Sequence, residues 1–256
     1  MTPRTALITG ASAGLGAEFA RQLAARGDRL ILVARRAEKL EALAAELKGG
    51  HGIDVHVLPG DLSEPGCPVA LFEGVQALGL QVDVLINNAG ASGPDLLAER
   101  DWARQRAFFE LMMTSVAHMC HLFVPPMAER GYGRVVNVAS MAGRITRAAG
   151  ANYGPSKAYV IAMSQELALL VRDRGVHVSA LCPGFTHTEF HEAGGVQHVK
   201  DRLPGWIWYD ADVVVREGLE AVEAGRALQI SGRLYRWADL LTSTPFLRPF
   251  LDLARR

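Results

Sequence analysis

The chain has 256 residues, 49% of them hydrophobic and 21% charged, enough to bury a large core in one α/β domain. Its 27 Lys and Arg balance 27 Asp and Glu, and a formal net charge of zero argues against a nucleic-acid partner. Cys67, Cys120 and Cys182 are odd in number and widely spaced, which fits neither a disulfide framework nor a C-x-x-C metal site and points to a reducing, cytoplasmic setting.

"RTALITG" reads as a first strand over 5–9, so no signal peptide is expected before it. No run approaches the roughly 18 apolar residues of a membrane span, and none is expected. Directly after that strand, "GASAGLG" places Gly10, Gly14 and Gly16 in a turn that opens a helix. Glycines there allow a tight turn and close backbone approach, so amides and the helix dipole can face a diphosphate. The spacing is G-x-x-x-G-x-G, and the strand before and helix after give the turn its weight. The helical patterns "GLGAEFARQLAARG" and "AEKLEALAAELKGG" are expected to end at Gly27 and Gly49.

The second strand, "RLILVA" at 29–34, is followed by Arg35 and Arg36. An Asp or Glu there would bind a ribose 2′-hydroxyl, whereas two guanidiniums can neutralise a 2′-phosphate. The alternative is a pair of solvated charges, but cations suit a helix N-terminus poorly. The text therefore favours NADP(H) over NAD(H).

Further strands are expected at 54–59, 82–88, 133–140, 176–184 and 227–230, alternating with helical patterns. Continuous apolar strands, each followed by a helix, imply a doubly wound, Rossmann-type parallel sheet of about seven strands with helices on both faces. The whole chain, 1–256, reads as one such domain. Residues 185–209, rich in His, Gly and aromatics, form either a substrate cover beyond the strand ends or a plain surface loop.

Tyr153 and Lys157 stand four apart at the start of a helical pattern, on one face. A tyrosine, pKa about 10, is a weak acid and a poor base. A neighbouring ammonium favours the phenolate and brings the phenol toward working pH. Ser140, at a strand end, can hydrogen-bond a carbonyl oxygen as charge develops on it.

The ordered motifs "TGASAGLG" (9–16), "DL" (61–62), "NNAG" (87–90), Ser140, "YGPSK" (153–157) and "PGFTHT" (183–188) resemble the short-chain dehydrogenases/reductases. That resemblance implies a nicotinamide cofactor, a small carbonyl or alcohol substrate and a homodimer or homotetramer. It implies that Gly10, Ser12, Gly14, Leu15 and Gly16 meet the diphosphate side, and that Asp61 and Leu62 border the adenine. Asn87, Ala89 and Gly90 would close the sheet side of the pocket. Pro183, Gly184, Thr186 and Thr188 would lie along the nicotinamide carboxamide. Ser140, Tyr153 and Lys157 would form the catalytic set, with Tyr153 and Lys157 also touching cofactor.

Where the family often carries a catalytic asparagine, alignment on "VPPM" places Met112, or Thr114 if the register slips by two. Neither supplies an amide, but in the family that residue acts largely through its backbone carbonyl, which Met112 keeps. Phe185, Trp206 and Trp208 suggest a hydrophobic substrate. An NADP(H)-binding sensor or scaffold is the alternative, with Met112 its one supporting feature. A sugar-nucleotide epimerase or dehydratase would carry T-G-x-x-G-x-x-G and a longer C-terminal part.

"HTEFH", with His187 and His191 around Glu189, fails the H-E-x-x-H zinc pattern, and His118 and His121 lack further ligands nearby, so no metal is expected. The tail "PFLRPFLDLARR" reads as packing or a subunit contact rather than a membrane helix.

Overall fold

The computed structural model describes residues 3–146, 150–188 and 204–243. Its strands are β1 (Thr5–Thr9), β2 (Arg29–Val33), β3 (Val55–Val57), β4 (Val84–Asn87), β5 (Gly133–Val138), β6 (Val176–Cys182) and β7 (Leu228–Ile230). They form one parallel sheet in the order β3-β2-β1-β4-β5-β6-β7. Strand order reverses beside β1, opening a crevice at the carboxyl ends of β1 and β4. Several strands are shorter than their apolar runs, because pairing stops where the chain turns off into the crevice.

Helices α1 (Gly14–Ala24), α2 (Ala37–His51) and α7 (Ala211–Glu223) cover one face, while α3 (Cys67–Ala77), α5 (Ser115–Arg130) and α6 (Tyr153–Leu170) cover the other. Alternation along the strands explains both layers. Ile8, Leu32, Ile86 and Val136 pack with Phe19, Leu40 and Val215 on one side. Leu7, Ile31, Leu85 and Val135 pack with Leu71, Phe123 and Met127 on the other.

Two sequence expectations need correction. Helix α2 runs through Gly49 to His51, and Gly52 ends it, at φ 66 with its N–H on the Lys48 carbonyl at 3.0 Å. Gly49 keeps a helical backbone; the stop comes where the chain turns left-handed. Secondly, the continuous helical run Trp102–Arg130 is long and apolar enough to cross a membrane by length and composition. Its apolar side, including Met119, Phe123 and Met127, is buried against the sheet, as in a core helix. That run consists of α4 (Trp102–Phe109), a π-helical turn (Glu110–Thr114) and α5.

The amino end of the sheet is closed by paired charge. Glu223 accepts from Arg134 at 2.8 Å and from Arg4 at 3.1 Å, and both guanidiniums lie over the Tyr132 ring, at 4.5 and 4.7 Å. The Thr5 N–H donates to Asp83 at 3.0 Å. Beyond β7, α8 (Arg233–Ser243) starts at the carboxyl end of the sheet.

Candidate active site

The turn leaving β1 is built by backbone. A Cβ on Gly16 would run into the Gly10 carbonyl oxygen and lie 2.6 Å from Asn88 Nδ2; one on Gly10 would lie 2.8 Å from the same amide. No side chain could be added without moving main chain. Thr9 and Asn88 brace this geometry: Thr9 Oγ1 accepts from the N–H groups of Asn88 (2.9 Å) and Ala89 (3.0 Å), and Asn88 Nδ2 donates to the Thr9 carbonyl at 3.0 Å. Neither residue stood out in the sequence, although both sit inside motifs that did.

Helix α1 begins at Gly14 with no side-chain cap from Ala13 and no acid in its first turn. Its leading amides and the positive end of its dipole thus suit an anion. Leu15 packs its side chain on the core.

Arg36, at the start of α2, donates to Ser12 Oγ at 3.0 Å, drawing its guanidinium back over the glycine turn. Arg35 lies 3.7 Å from Asp61, whose other oxygen accepts from the Ser63 N–H and hydroxyl at 3.0 and 2.7 Å. Burial pushes the Asp61 carboxyl up, but the Ser63 hydrogen bonds and Arg35 outweigh it and hold it below its ordinary value. Leu62 is buried beside it. Asn87 is also buried and donates to Asn137 at 2.8 Å, so its side chain ties β4 to β5. Ala89 and Gly90 follow at the rim.

On the β5 side, Ser140 caps a short 3-10 turn, Met141–Gly143, accepting from the Ala142 N–H at 3.1 Å. Its own O–H is left to donate elsewhere. That turn lies against the start of α6: a Cβ on Gly143 would sit 2.7 Å from the Ala158 nitrogen, and one on Gly154 would sit 3.1 Å from the Ala142 carbonyl oxygen. Ser140 is thereby carried to the end of α6 that holds Tyr153 and Lys157. Lys157 is buried and donates to the Val138 carbonyl at 2.7 Å; its Nζ lies 5.8 Å from the Tyr153 ring centre. Burial pulls its ammonium down to about 8, so it remains mostly a cation at neutral pH.

Past β6, the Pro183 carbonyl accepts from the Met141 N–H at 3.0 Å, and Gly184 lies beneath the Tyr235 ring of α8. Thr186 is buried and bridges to Tyr209. Thr188 reaches the glycine turn, 3.3 Å from where a Gly14 Cβ would stand. Phe185 and His187 both lie against the Trp208 ring, with centroids 5.1 and 5.3 Å away, so His187 is an aromatic stacking partner. Trp206 is exposed. Arg144, just beyond the Ser140 turn, makes a two-pronged ion pair with Asp239 of α8 at 2.7 and 2.9 Å. The rest of the expected cover, His191 and the tail from residue 244 lie outside the described residues.

Met112 sits in the π-helical turn and is buried. Its Sδ accepts from the Ala91 N–H at 3.3 Å and lies 3.4 Å from where a Gly90 Cβ would stand. The thioether therefore holds the loop that follows "NNAG". His118 and His121 neighbour one another on α5, ring centres 6.4 Å apart; among the described residues no three His, Cys, Asp or Glu side chains gather as metal ligands.

Residues 4–196 match the family described as "short chain dehydrogenase". The chain is 31% identical over 191 residues to the 3-oxoacyl-(acyl-carrier-protein) reductase FabG of Escherichia coli (strain K12), a match spanning 74% of this chain and 76% of that protein. A solved short-chain dehydrogenase from Sphingobium yanoikuyae in complex with NADPH superposes with a TM-score of 0.82 at 30% identity, over 96% of this chain and 95% of that one. A Burkholderia phymatum short-chain dehydrogenase/reductase in complex with NAD gives 0.83 at 24% identity, over 99% and 96%, a likeness of fold alone.

Proposed function

Because the chain belongs to the short-chain dehydrogenase/reductase family, oxidoreductases acting on CH–OH and C=O groups, we propose that it is an NADP(H)-dependent reductase of hydrophobic ketones or aldehydes, run by Tyr153, Lys157 and Ser140. The observation that carries this reading is the meeting of two half-sites at the carboxyl ends of the strands. One is an uncapped helix start with a guanidinium drawn over it; the other is a phenol above a buried ammonium.

The glycine turn and the α1 amides hold the diphosphate, and Arg36 with Arg35 meets the 2′-phosphate, a dianion that their fixed charges suit. The nicotinamide, when bound, supplies or accepts the hydride. Ser140 donates its hydroxyl hydrogen to the carbonyl oxygen, where negative charge develops. Tyr153 gives its phenolic proton to that oxygen in reduction and takes it back in oxidation. Lys157, still cationic at neutral pH, stabilises the phenolate left behind. Phe185 and Trp208 offer the apolar wall that orients the substrate.

The deciding experiment follows NADPH and NADH absorbance across ketones, aldehydes, steroids and 3-oxoacyl thioesters, with Tyr153→Phe alongside. We expect NADPH-linked reduction that falls by at least about 10³-fold in Tyr153→Phe. NADPH binding without oxidation on any substrate would favour a sensor, and a preference for NADH would overturn the roles given to Arg35 and Arg36.

A further inference from the structure

Asn152 stands immediately before Tyr153. It is by type a good helix N-cap, yet its side chain makes no cap bond to α6. Its Nδ2 instead donates outward, to Gln105 Oε1 at 2.5 Å and to the Pro94 carbonyl at 2.8 Å. Gln105, on α4, donates in turn to the carbonyls of Asp95 (3.0 Å) and Glu99 (3.4 Å). Both amides are buried, at 3% and 1% exposure, so losing either partner would leave buried polar groups without hydrogen bonds.

The backbone that the pair secures is strained. Gly150 and Ala151 are consecutively left-handed, at φ 71 and 56, and Ala151 is the one non-glycine residue with positive φ among the described residues. An alanine in that conformation costs about 1–2 kcal/mol and persists only where neighbours hold it. The loop over residues 94–99 does so: the Leu96 N–H donates to the Gly150 carbonyl at 2.9 Å, and Asn152 grips Pro94. Loop, strained corner and Asn152, the residue that leads into α6, are one hydrogen-bonded unit.

We propose that Gln105 and Asn152 are positioning residues for Tyr153, a clamp that fixes where the phenol stands relative to Lys157 and Ser140. The inference rests on Tyr153 being the acid. If the clamp opens, Ala151 can relax, the start of α6 moves, and the phenol loses its place above the ammonium. Displacement of about 1 Å at a reacting group can cost about 10²-fold in rate. The diphosphate and 2′-phosphate would rest on the glycine turn and Arg36, on other elements, so cofactor affinity should change far less than turnover although Tyr153 and Lys157 would also touch cofactor.

The test compares Gln105→Leu, Asn152→Ala, their double variant and Tyr153→Phe with the parent enzyme. Each is measured for kcat, KM, NADPH affinity by fluorescence, thermal melting, and phenol ionisation of the cofactor-free protein by ultraviolet difference titration. Each single variant is expected to lower kcat about 10- to 100-fold. The phenol titration and the kcat pH profile should shift together, and NADPH affinity should stay within about two-fold. The double variant should be no slower than the slower single, because both remove one device. Ala151→Gly added to Asn152→Ala should recover part of the lost kcat, since glycine adopts the corner without strain.

Variants that melt earlier but keep kcat and the pH profile would overturn the clamp and leave a packing role. If a variant fails to fold, Gln105→Asn, which keeps an amide but retracts it by one methylene, is decided by the same kcat and titration readouts. An inactive Tyr153→Phe beside fully active clamp variants refutes the clamp alone. An active Tyr153→Phe refutes the reading of Tyr153 on which it rests.

Discussion

The two ends of the sheet are built on opposite principles. At the amino end the charges come in pairs: Arg4 and Arg134 share Glu223 and flank Tyr132, and Asp83 takes the Thr5 N–H. At the carboxyl end the same strands open onto an uncapped helix start, a buried lysine that pairs with no carboxylate among the described residues, and an alanine held left-handed. One end spreads its interactions over pairs that are partly open to water. The other concentrates costly features in one place, the place at which the proposed chemistry would need them.

Three substitutions sharpen that contrast. The largest effect is expected from Gly16→Ala, whose added methyl meets the Gly10 carbonyl and the Asn88 amide. Main chain must shift to admit it, so stability should fall by about 3 kcal/mol and NADPH binding should be lost. A thermal melt with a fluorescence titration reads both, and unchanged cofactor affinity would mean that the turn is not the diphosphate cradle.

Lys157→Met should move stability the other way. Burial holds the folded ammonium near 8 against 10.5 for the ordinary group, so the unfolded chain binds the proton more tightly. The destabilisation is complete below pH 8, about 3 kcal/mol, and fades as pH rises from 8 to 10.5. The variant should therefore be inactive yet melt higher at pH 7, with an advantage that shrinks by pH 10. An advantage that does not vary with pH would contradict this account.

The smallest effect belongs to the amino end. Glu223→Gln removes the shared partner of two arginines, and because Glu223 and Arg4 are over a third exposed, about 1 kcal/mol or less should be lost in urea unfolding. Turnover should stay within about two-fold. A collapse of activity would show the two ends to be coupled.

Much of the carboxyl end is legible in the sequence alone, for a physical reason. A glycine turn, a strand's apolar run and a Tyr–Lys pair one helical turn apart are local patterns, and local patterns survive in text. What escaped is contact between distant segments. Asn152 and Gln105 lie 47 residues apart, and Arg144 and Asp239 lie 95 apart. Nothing in "ANYG" says that its amide leaves its own helix. The π-helical turn escaped for a different reason: Glu, Leu and Met fit an α-helix equally well, and the extra residue shows only in the backbone. Gly49 misled because two adjacent glycines look like a stop, whereas the left-handed turn waits for Gly52.

The order of strands also governs when the site comes into being. β1 pairs on one side with β2, its near neighbour in the chain, and on the other with β4. The glycine turn leaves β1, but Asn88, which braces it, arrives 79 residues later than Thr9. As the chain emerges or refolds, the first β-α-β unit can collapse early, yet its nucleotide cradle stays unfinished until β4 closes that long loop, a slow, non-local event. Cofactor capture therefore belongs to the end of folding. A nicotinamide cofactor that gripped only the completed seam would draw the last step to completion by mass action, and a cell's cofactor supply would become part of how much folded enzyme it holds.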